Sequence, residues 1–561
     1  MKIVFKREIK DDDLNETQIL QYILEDRKIE NIAEFQNPPS PITLSLNNFG
    51  FKKELAAALN ILERIRENKQ KVVVYTDYDA DGITGGAILW ETLHLMGFDA
   101  IPYVPHRKLE GYGFSVKGID HVKKEYNPSL IISVDHGITA AEKITYAKSL
   151  GIPIIVTDHH LKSETPPDDA LAVFHLPQLS GSSVSYFFSK ALFEHFSSHI
   201  SPSNFQRLTS HFATDYLALA SIGTIADLVP LVGPARSIVK YGLAAFPKIS
   251  RAGIQCILQE AGIAGKAITP YEVGFIIGPR INAVGRLEHA IDALRLLCTT
   301  DRKKAETLAA DIGRTNQQRQ ELVKKALEEA EKIVAIDPLG KIIILTSKHW
   351  HEGIIGLIAS KITERYFRPT IVMTEVDGFL KGSARSIPSF HITNFLKGLK
   401  DYLIDVGGHT QASGFTIDTA QLSNFITEAQ KRAAAIIRDD ELIKVIEADV
   451  KLPIAKVSRK LVQQIEKMQP FGIGNPQPVF FSNALLINAQ IFGKRSEHLK
   501  MIVREPGGDS FPLELIAFSR ASDFNKLSPS LPIDIVYKVE IDRWNGAERL
   551  RGKLIHWHNS L

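Results

Sequence analysis

The chain reads as a multidomain α/β protein whose first large domain is built on a parallel sheet, and three observations carry that reading. Apolar runs of strand length, Lys71–Thr76, Leu130–Val134 and Ile152–Thr157, recur in the first third of the sequence. Helix-like sequence such as Ala140–Leu150 separates them, which is the β-α-β pattern. Each run ends in an acidic or histidine-bearing motif: Asp77-Tyr-Asp-Ala-Asp-Gly82, Asp135-His136-Gly137 and Asp158-His159-His160. Functional groups in open α/β sheets collect at the carboxyl ends of parallel strands, so endings of this kind in register point to one site.

Asp77, Asp79 and Asp81 stand on alternate residues at a strand end. Their mutual repulsion and lost hydration are tolerable chiefly when a cation neutralises them. A solvated turn is the plain alternative. A calcium loop is the sharper one, because Asp-x-Asp-x-Asp-Gly also opens the EF-hand pattern. That pattern needs an entering helix and a bidentate Glu at its twelfth position, whereas a Val-rich strand enters here and Ile88 stands twelfth. A fourth motif, Gly223-Thr-Ile-Ala-Asp227, closes the apolar, helix-like stretch Tyr216–Ile222. Taken alone, its Asp reads as a cap of the next turn.

Composition narrows the class without naming a partner. At 561 residues the chain exceeds one core and suggests three or four domains. With 44% hydrophobic and 23% charged residues it is ordinary for a globular protein. A net charge of +3 is too small to act as a global field, so a polyanion site must be a local patch. Residues 1–15 are charged and lack the apolar centre of a signal peptide, and no apolar segment is long enough to span a bilayer. A cytoplasmic protein without membrane contact is expected. Cys256 and Cys298 are too few for a disulfide framework or thiolate cluster, so metal binding would rest on oxygen and imidazole.

Three motifs are set aside. His351-Glu352 is not a zincin, since Ile355 stands where the second His is required. No Gly-Lys pair is followed by Ser or Thr, so a Walker A loop is absent and no use of ATP is expected. His94 and His289 read as helix-surface or core histidines.

The strand-end motifs and Gly223–Asp227 resemble the motifs of the DHH phosphoesterase superfamily, and the rest of the chain resembles its RecJ branch, the single-strand-specific exonucleases. Gly278-Pro-Arg-Ile-Asn-Ala-Val-Gly-Arg286, His351-Glu-Gly-Ile-Ile-Gly356, Gly382-Ser-Ala-Arg385, Gly407-Gly-His409 and Pro470-Phe-Gly-Ile-Gly-Asn-Pro476 follow in the family order.

The expected organisation combines this resemblance with local pattern. Residues 1–50 form a polar leader packed on the first domain, and 51–246 the DHH domain. Residues 247–336 form a helical connector ending in a long helix, Asp301–Ile336, which is rich in Ala, Glu, Lys, Gln and Leu. That helix would reach about 45 Å and leave a groove between two domains. A smaller α/β domain at 337–438, with strands near Lys341–Thr346 and Pro369–Thr374, matches the DHH-associated domain. From 439 to 561, short strands and turn signals suggest a small β-barrel. The resemblance implies an OB-fold there, a barrel that commonly binds single strands.

Carboxylates with one imidazole suit Mn2+ or Mg2+ better than zinc or copper. Carried onto this chain, the family pattern implies two divalent ions. Asp77 and Asp79 would hold the first, Asp135 would bridge, and Asp81, His159 and Asp227 would hold the second. His160 would face the scissile phosphate, Asp158 would orient the imidazoles, and a water activated by both cations would attack. Arg280 and Asn282, in a Gly-Pro-Arg-Ile-Asn turn, would recognise a terminal 5′ phosphate. Ser383, Arg385, Gly407, Gly408 and His409 would clamp the nucleotide being cleaved. Arg107 is a further phosphate contact and Tyr112 a base-stacking residue.

The sequence also departs from the family. Phe174-His-Leu-Pro177 replaces the usual Asn-Pro, and Leu179-Ser-Gly-Ser-Ser-Val-Ser185 replaces a Gly-rich segment. The metal set is expected to be untouched, and the local substrate wall to be reshaped. The favoured reading is a metal-dependent exonuclease that releases mononucleotides from the 5′ end of single-stranded DNA in repair or recombination. A helicase or single-strand-binding protein is a candidate for delivering its substrate. The alternatives are a DHH phosphodiesterase acting on short oligonucleotides or cyclic dinucleotides, and a single-strand-binding module without catalysis.

Overall fold

The computed structural model describes residues 1–9, 15–107, 109–162, 164–336, 338–507, 511–543 and 548–560. The expected domain boundary at 337 lies outside these residues. Three sheets organise the chain. The first strand, β1 (Lys2–Glu8), belongs to the last of them.

The sheet of the first large domain is parallel throughout. It contains β2 (Lys71–Thr76), β3 (Asp99–Tyr103), β4 (Leu130–Val134), β5 (Ile154–Asp158) and β6 (Ala172–His175), in the order β3-β2-β4-β5-β6. Apart from Lys71, every residue of β2, β4 and β5 is buried. Helices cover both faces of such a sheet, which is why the strands read as continuous apolar runs rather than alternating ones. The chain passes from β2 outward to β3 and then returns to the other flank of β2 with β4, so the order reverses between β2 and β4. Sites form at the carboxyl ends of strands beside such a reversal.

The core of this domain extends further than expected. Ile254, Ile257, Ile281, Val284, Leu296, Ala305, Ala309 and Ile312 join the same apolar cluster as Val72 and Ile132. Residues 247–312 are therefore part of the catalytic body rather than a separate connector. The connector proper is the outer half of one helix, Arg302–Val334, capped by Asp301 through the Lys303 and Lys304 N–H groups. At 33 residues it spans about 50 Å. Ala326 and Ala330, near its end, pack into the core of the next domain.

That domain holds β7 (Ile343–Thr346), β8 (Thr370–Val376), β9 (Phe379–Arg385), β10 (Asp405–His409) and β11 (Ala412–Asp418), in the order β10-β11-β9-β8-β7. Only the β7–β8 pairing is parallel.

The C-terminal domain contains β12 (Val445–Lys451), β13 (Phe480–Phe492), β14 (His498–Arg504), β15 (Leu513–Ala517), β16 (Pro532–Asp542) and β17 (Arg549–Asn559). β13, β14, β15, β17 and β16 pair in that order, and β16 pairs back to β13 to close a barrel. The expected leader packs on the first domain only in its second half, where Arg236, Lys240 and Lys190 donate to the carbonyls of Phe35, Gln36 and Leu44. Its β1 pairs in parallel with β12, and Ile19, Leu20, Ile23, Leu24 and Phe35 enter the barrel core beside Leu461, Val462 and Ile465. A stripe at helical spacing shows that a face is buried, not which core buries it. Only its end, around Leu46, joins the catalytic core.

One clasp fixes the barrel against the catalytic body. Arg236 is 1% exposed and donates hydrogen bonds to the carbonyls of Phe35, Met468, Gln469 and Pro470. Its guanidinium lies 3.8 Å from the centre of the Phe35 ring. A planar, five-donor group can satisfy several carbonyls at once. Among the described residues, no helix is long and apolar enough to cross a membrane.

Candidate metal centre

Asp77 follows β2, Asp135 follows β4, and Asp158, His159 and His160 lie at the end of β5. Asp79 caps the helix Ala80–Leu95, accepting the Asp81 and Gly82 N–H groups at 2.9 and 3.1 Å. Asp227 arrives separately, at the C-terminal end of the helix Asp215–Ala226. Ligand atoms of Asp77, Asp79 and Asp135 lie within 4.8 Å of one another, as do those of Asp81, His159 and Asp227 and those of Asp135, His159 and His160. His159 Nε2 stands 3.1 Å from Asp135, 3.4 Å from Asp227 and 3.8 Å from Asp81.

The groups are arranged for a positive charge. Asp77 Oδ1, Asp135 Oδ1 and His159 Nε2 are buried without a hydrogen-bond partner. Asp135 also adopts φ 68°, a left-handed conformation that is uncommon outside functional sites for a residue other than glycine. Burial and the charge of Asp79 raise the Asp77 carboxyl well above its usual range. Burial, then Asp81 and Asp79, do the same to Asp135. Asp79 is raised by burial and Asp81. Asp227 is pushed up to about 8 by burial and by Asp81 and Asp79. A hard divalent cation bound here would relieve this repulsion, and an oxygen-rich donor set with one imidazole fits Mn2+ or Mg2+.

The two histidines differ. Burial lowers His159, so its imidazole stays neutral and available as a ligand. Burial opposes protonation of His160 as well, but the 2.8 Å hydrogen bond to Asp158 and that residue's charge prevail and raise it to about 9. Asp158 is held well below the carboxylate range against its burial by His160 and by the N–H groups of Ile138 and His160. Asp158 thus orients one imidazole, not both: to His159 it offers only a backbone hydrogen bond of 2.7 Å. Tyr112 places its hydroxyl 3.1 Å from His160 Nε2 and donates to the Asp135 carbonyl at 3.2 Å. Arg107 lies over the Tyr78 ring at 5.2 Å.

The expected turn at Gly278 is a helix, Gly278–Leu287. Its phase sorts the polar residues. Asn282 and Arg286, four apart, share a face, while Arg280 points elsewhere. Arg280 pairs with Glu260 at 2.6 Å and donates to the Ile276 carbonyl. Asn282 accepts the Ala80 N–H at 2.7 Å, bracing the acidic motif itself. Sequence reasoning missed Arg286, which is lowered to about 10 by burial and by the charges of Arg107, Arg319 and Arg385, with Asp79 opposing. Its signal was present: helical spacing from Asn282 selects it.

Register aligns the residues of the second domain. Ser383 sits opposite Gly414, which sits opposite Gly407; Arg385 sits opposite Ala412, which sits opposite His409. Ser383, Arg385 and His409 therefore share one face of the sheet, with small residues between them. Ala384 and Phe415 occupy the other face and enter the core. Gly408 has φ 142°, and an added Cβ would lie 2.3 Å from the Ala412 carbonyl oxygen. Arg385 donates to Ser383 Oγ at 3.1 Å.

The atypical segment touches the metal centre. Ser180, Ser182, Ser183 and Ser185 are buried. The Gly181 and Ser182 N–H groups donate to the two Asp81 oxygens at 2.6 and 2.9 Å. A Cβ on Gly181 would fall 2.4 Å from Asp135 Cβ. The segment is a helix start that holds one carboxylate and packs under another.

Family models match in the same three places: the DHH family, N-terminal domain, at residues 71–224, the DHHA1 domain at 339–438 and the RecJ OB domain at 448–556. Fold and site thus define a DHH-type protein with an added barrel. A single-stranded-DNA-specific exonuclease RecJ of Haemophilus influenzae is 30% identical over 98% of this chain and 98% of its own length. The RecJ of Bacillus subtilis is 32% identical over 89% of this chain, which spans 62% of that longer protein. A crystal structure of RecJ from Thermus thermophilus in complex with Mn2+ superposes with a TM-score of 0.81 and 28% identity, covering 100% of this chain and 80% of that one. The chain belongs to the RecJ family.

Proposed function

We propose that the protein is a metal-dependent exonuclease that hydrolyses single-stranded DNA from its 5′ end to 5′-mononucleotides, in DNA repair or recombination. The observation that carries this reading is the meeting of Asp77, Asp79, Asp81, Asp135, His159 and Asp227 in mutually close groups, beside a cluster of arginines. Asp77, Asp79 and Asp135 would hold one divalent ion, and Asp81, His159 and Asp227 the other. Asp81 keeps lone pairs for this while it accepts two N–H groups. Mn2+ or Mg2+ bound there supplies the polarisation of a phosphodiester and the activation of water.

The remaining residues position the strand and move protons. His160, protonated at neutral pH and tied to Asp158, faces the scissile phosphate. Arg107, Arg286 and Arg385 receive the terminal 5′ phosphate, since crowded like charges favour a bidentate anion between them. Ser383, Gly407, Gly408 and His409 flank the leaving nucleotide. The barrel holds the strand farther along. The protein acts in the cytoplasm without ATP, on strands exposed by a helicase or single-strand-binding protein.

Incubation with Mn2+ and a 5′-labelled single strand tests the reading. Release of the label first, as a mononucleotide, is the expected outcome. Tight binding without cleavage, or cleavage confined to short oligonucleotides or cyclic dinucleotides, would overturn it.

A further inference from the structure

We propose that the pocket beyond the carboxyl end of β3 is a nucleotide-binding site apart from the metal centre, taking a nucleobase against its aromatic wall and a phosphate at its cationic rim. It uses none of the residues assigned above to the metals or the strand.

β3 is an edge strand of the parallel sheet, and its last residues open into a cavity of about 650 Å3. That volume suits a small ligand or cofactor, and such sites favour the carboxyl ends of parallel strands. Helices close the sides. Trp90 comes from Ala80–Leu95, His121 and Tyr126 from Val116–Tyr126, and Arg295 from Ile291–Cys298.

The wall is aromatic. Tyr103 lies 5.7 Å from His121, whose ring meets that of Tyr126 edge-on at 6.4 Å. His106 and His289 stack at 5.4 Å and 15°. Trp90 is fixed by its N–H, which donates to the Ala100 carbonyl at 3.0 Å, and His289 Nε2 donates to the Val104 carbonyl at the same distance. Trp90, Tyr126 and His289 are half-buried. Flat rings held in place and still open to solvent are surfaces on which a base can stack.

Charge sets the other half of the ligand. Among the described residues of the wall, Glu110 is the one carboxylate, and both its oxygens are taken, by the Tyr103 hydroxyl at 2.7 Å and the His106 N–H at 3.0 Å. Arg295 and Lys304 stand exposed at the rim. Arg295 is paired with Asp292 at 2.9 Å, an exposed pair that yields readily to a phosphate. A flat body with an anionic tail describes a nucleotide.

Nothing in the pocket prepares a reaction. Burial pushes the Cys298 thiol up to about 12, and burial with the Glu110 hydrogen bond raises the Tyr103 hydroxyl, so neither is a nucleophile at neutral pH. Among the described residues, the groups able to hold a metal lie at the centre described above. The pocket binds rather than cleaves.

Its wall is shared with the basic face. His106 and Glu110 bracket Arg107 in a loop closed by the Leu109 and Glu110 N–H groups on the His106 carbonyl at 3.0 and 2.9 Å, and His289 follows Arg286 closely in the chain. An occupant therefore touches both segments that carry these arginines, which is the contact that coupling between two sites requires.

The test uses the full chain in chelator, with Arg286→Met to remove nucleotide binding at the basic face. Calorimetry is expected to find one dAMP site with a Kd of about 1 mM or tighter. Adding Tyr126→Ala and Lys304→Glu is expected to weaken it about tenfold or more, while Tyr126→Phe with Lys304→Arg keeps it. Deoxyadenosine and inorganic phosphate are each expected to bind more weakly than dAMP, and the tighter of dAMP and dATP names the source, reaction product or free triphosphate. On the unmodified chain, photolabelling with an azidoadenine nucleotide is expected to mark Trp90 or residues 121–126. No dAMP binding, equal affinity for phosphate and dAMP, an affinity unmoved by Tyr126→Ala with Lys304→Glu, or label confined to the arginines and the metal centre would overturn the proposal. Failure of the unmodified protein to cleave any strand would instead overturn the exonuclease reading and leave these binding measurements standing.

Discussion

The candidate site has an acidic face and a basic face, and each is electrostatically incomplete in the same way. On the first, Asp77, Asp79, Asp135 and Asp227 are raised by burial and by one another. On the second, Arg286 is lowered by burial and by Arg107, Arg319 and Arg385. Like charges are crowded on both, and on the acidic face Asp77 and Asp135 are out of water, where repulsion is least screened. On the proposed reading a divalent cation would complete one face and a phosphate the other, so that a bound strand end would join them.

The comparison can be broken most directly on its acidic face. Asp135→Ala, which removes the carboxylate common to two ligand groups, is expected to lower kcat by about a thousandfold or more and to reduce Mn2+ binding measured by calorimetry. Turnover within a few-fold of the parent in a folded variant would remove the basis of the two-cation reading.

On the basic face, Arg286→Met is expected to lower kcat/KM for a 5′-phosphorylated strand by about 10–100-fold and to erase the preference over an unphosphorylated one. Kinetics on matched substrates check this.

A pH series sharpens the contrast between proton and metal. His160, raised from 6.5 to about 9, contributes stability that is complete below its ordinary value and lost as pH rises through the folded one. Asp227, at about 8, must ionise at a cost in the folded state, so it too makes the metal-free protein less stable as pH rises. Added Mn2+ takes the place of the protons. The rise in Tm on adding Mn2+ is therefore expected to be about 2–4 °C larger at the alkaline end of that range than at the acid end, read by thermal unfolding with a chelator control. A Tm shift independent of pH would contradict the coupling.

The smallest effect is expected from Arg280→Met, below about threefold in kcat/KM, because its pair with Glu260 lies off the site-facing side of the helix. A loss equal to that of Arg286→Met would mean that the helical phase does not sort the two arginines.

Much of the acidic face was legible in the sequence. Apolar runs ending in Asp or His, in a β-α-β pattern, are enough to bring Asp77, Asp135 and His159 to one edge of a sheet. The basic face was legible only in part: Arg107 and Arg385 were named through the family resemblance, and Arg286 was not. Reading Gly278–Arg286 as a turn conceals the phase that turns Arg286 inward and Arg280 out. The Ser180–Ser182 segment looked like a remote wall because its partner, Asp81, lies about a hundred residues away.

What the amino-acid order determined unaided was local: strand runs, their acidic endings, and the long connector helix. These follow from periodicity and turn chemistry among near neighbours. The tertiary structure alone decided which arginine of the helix Gly278–Leu287 pairs with Glu260, which core receives the N-terminal strand and helix, and how Arg236 ties the barrel to the first domain. Those outcomes depend on contacts between segments far apart in the chain, and an apolar stripe or a guanidinium carries no local mark of the partner it will meet.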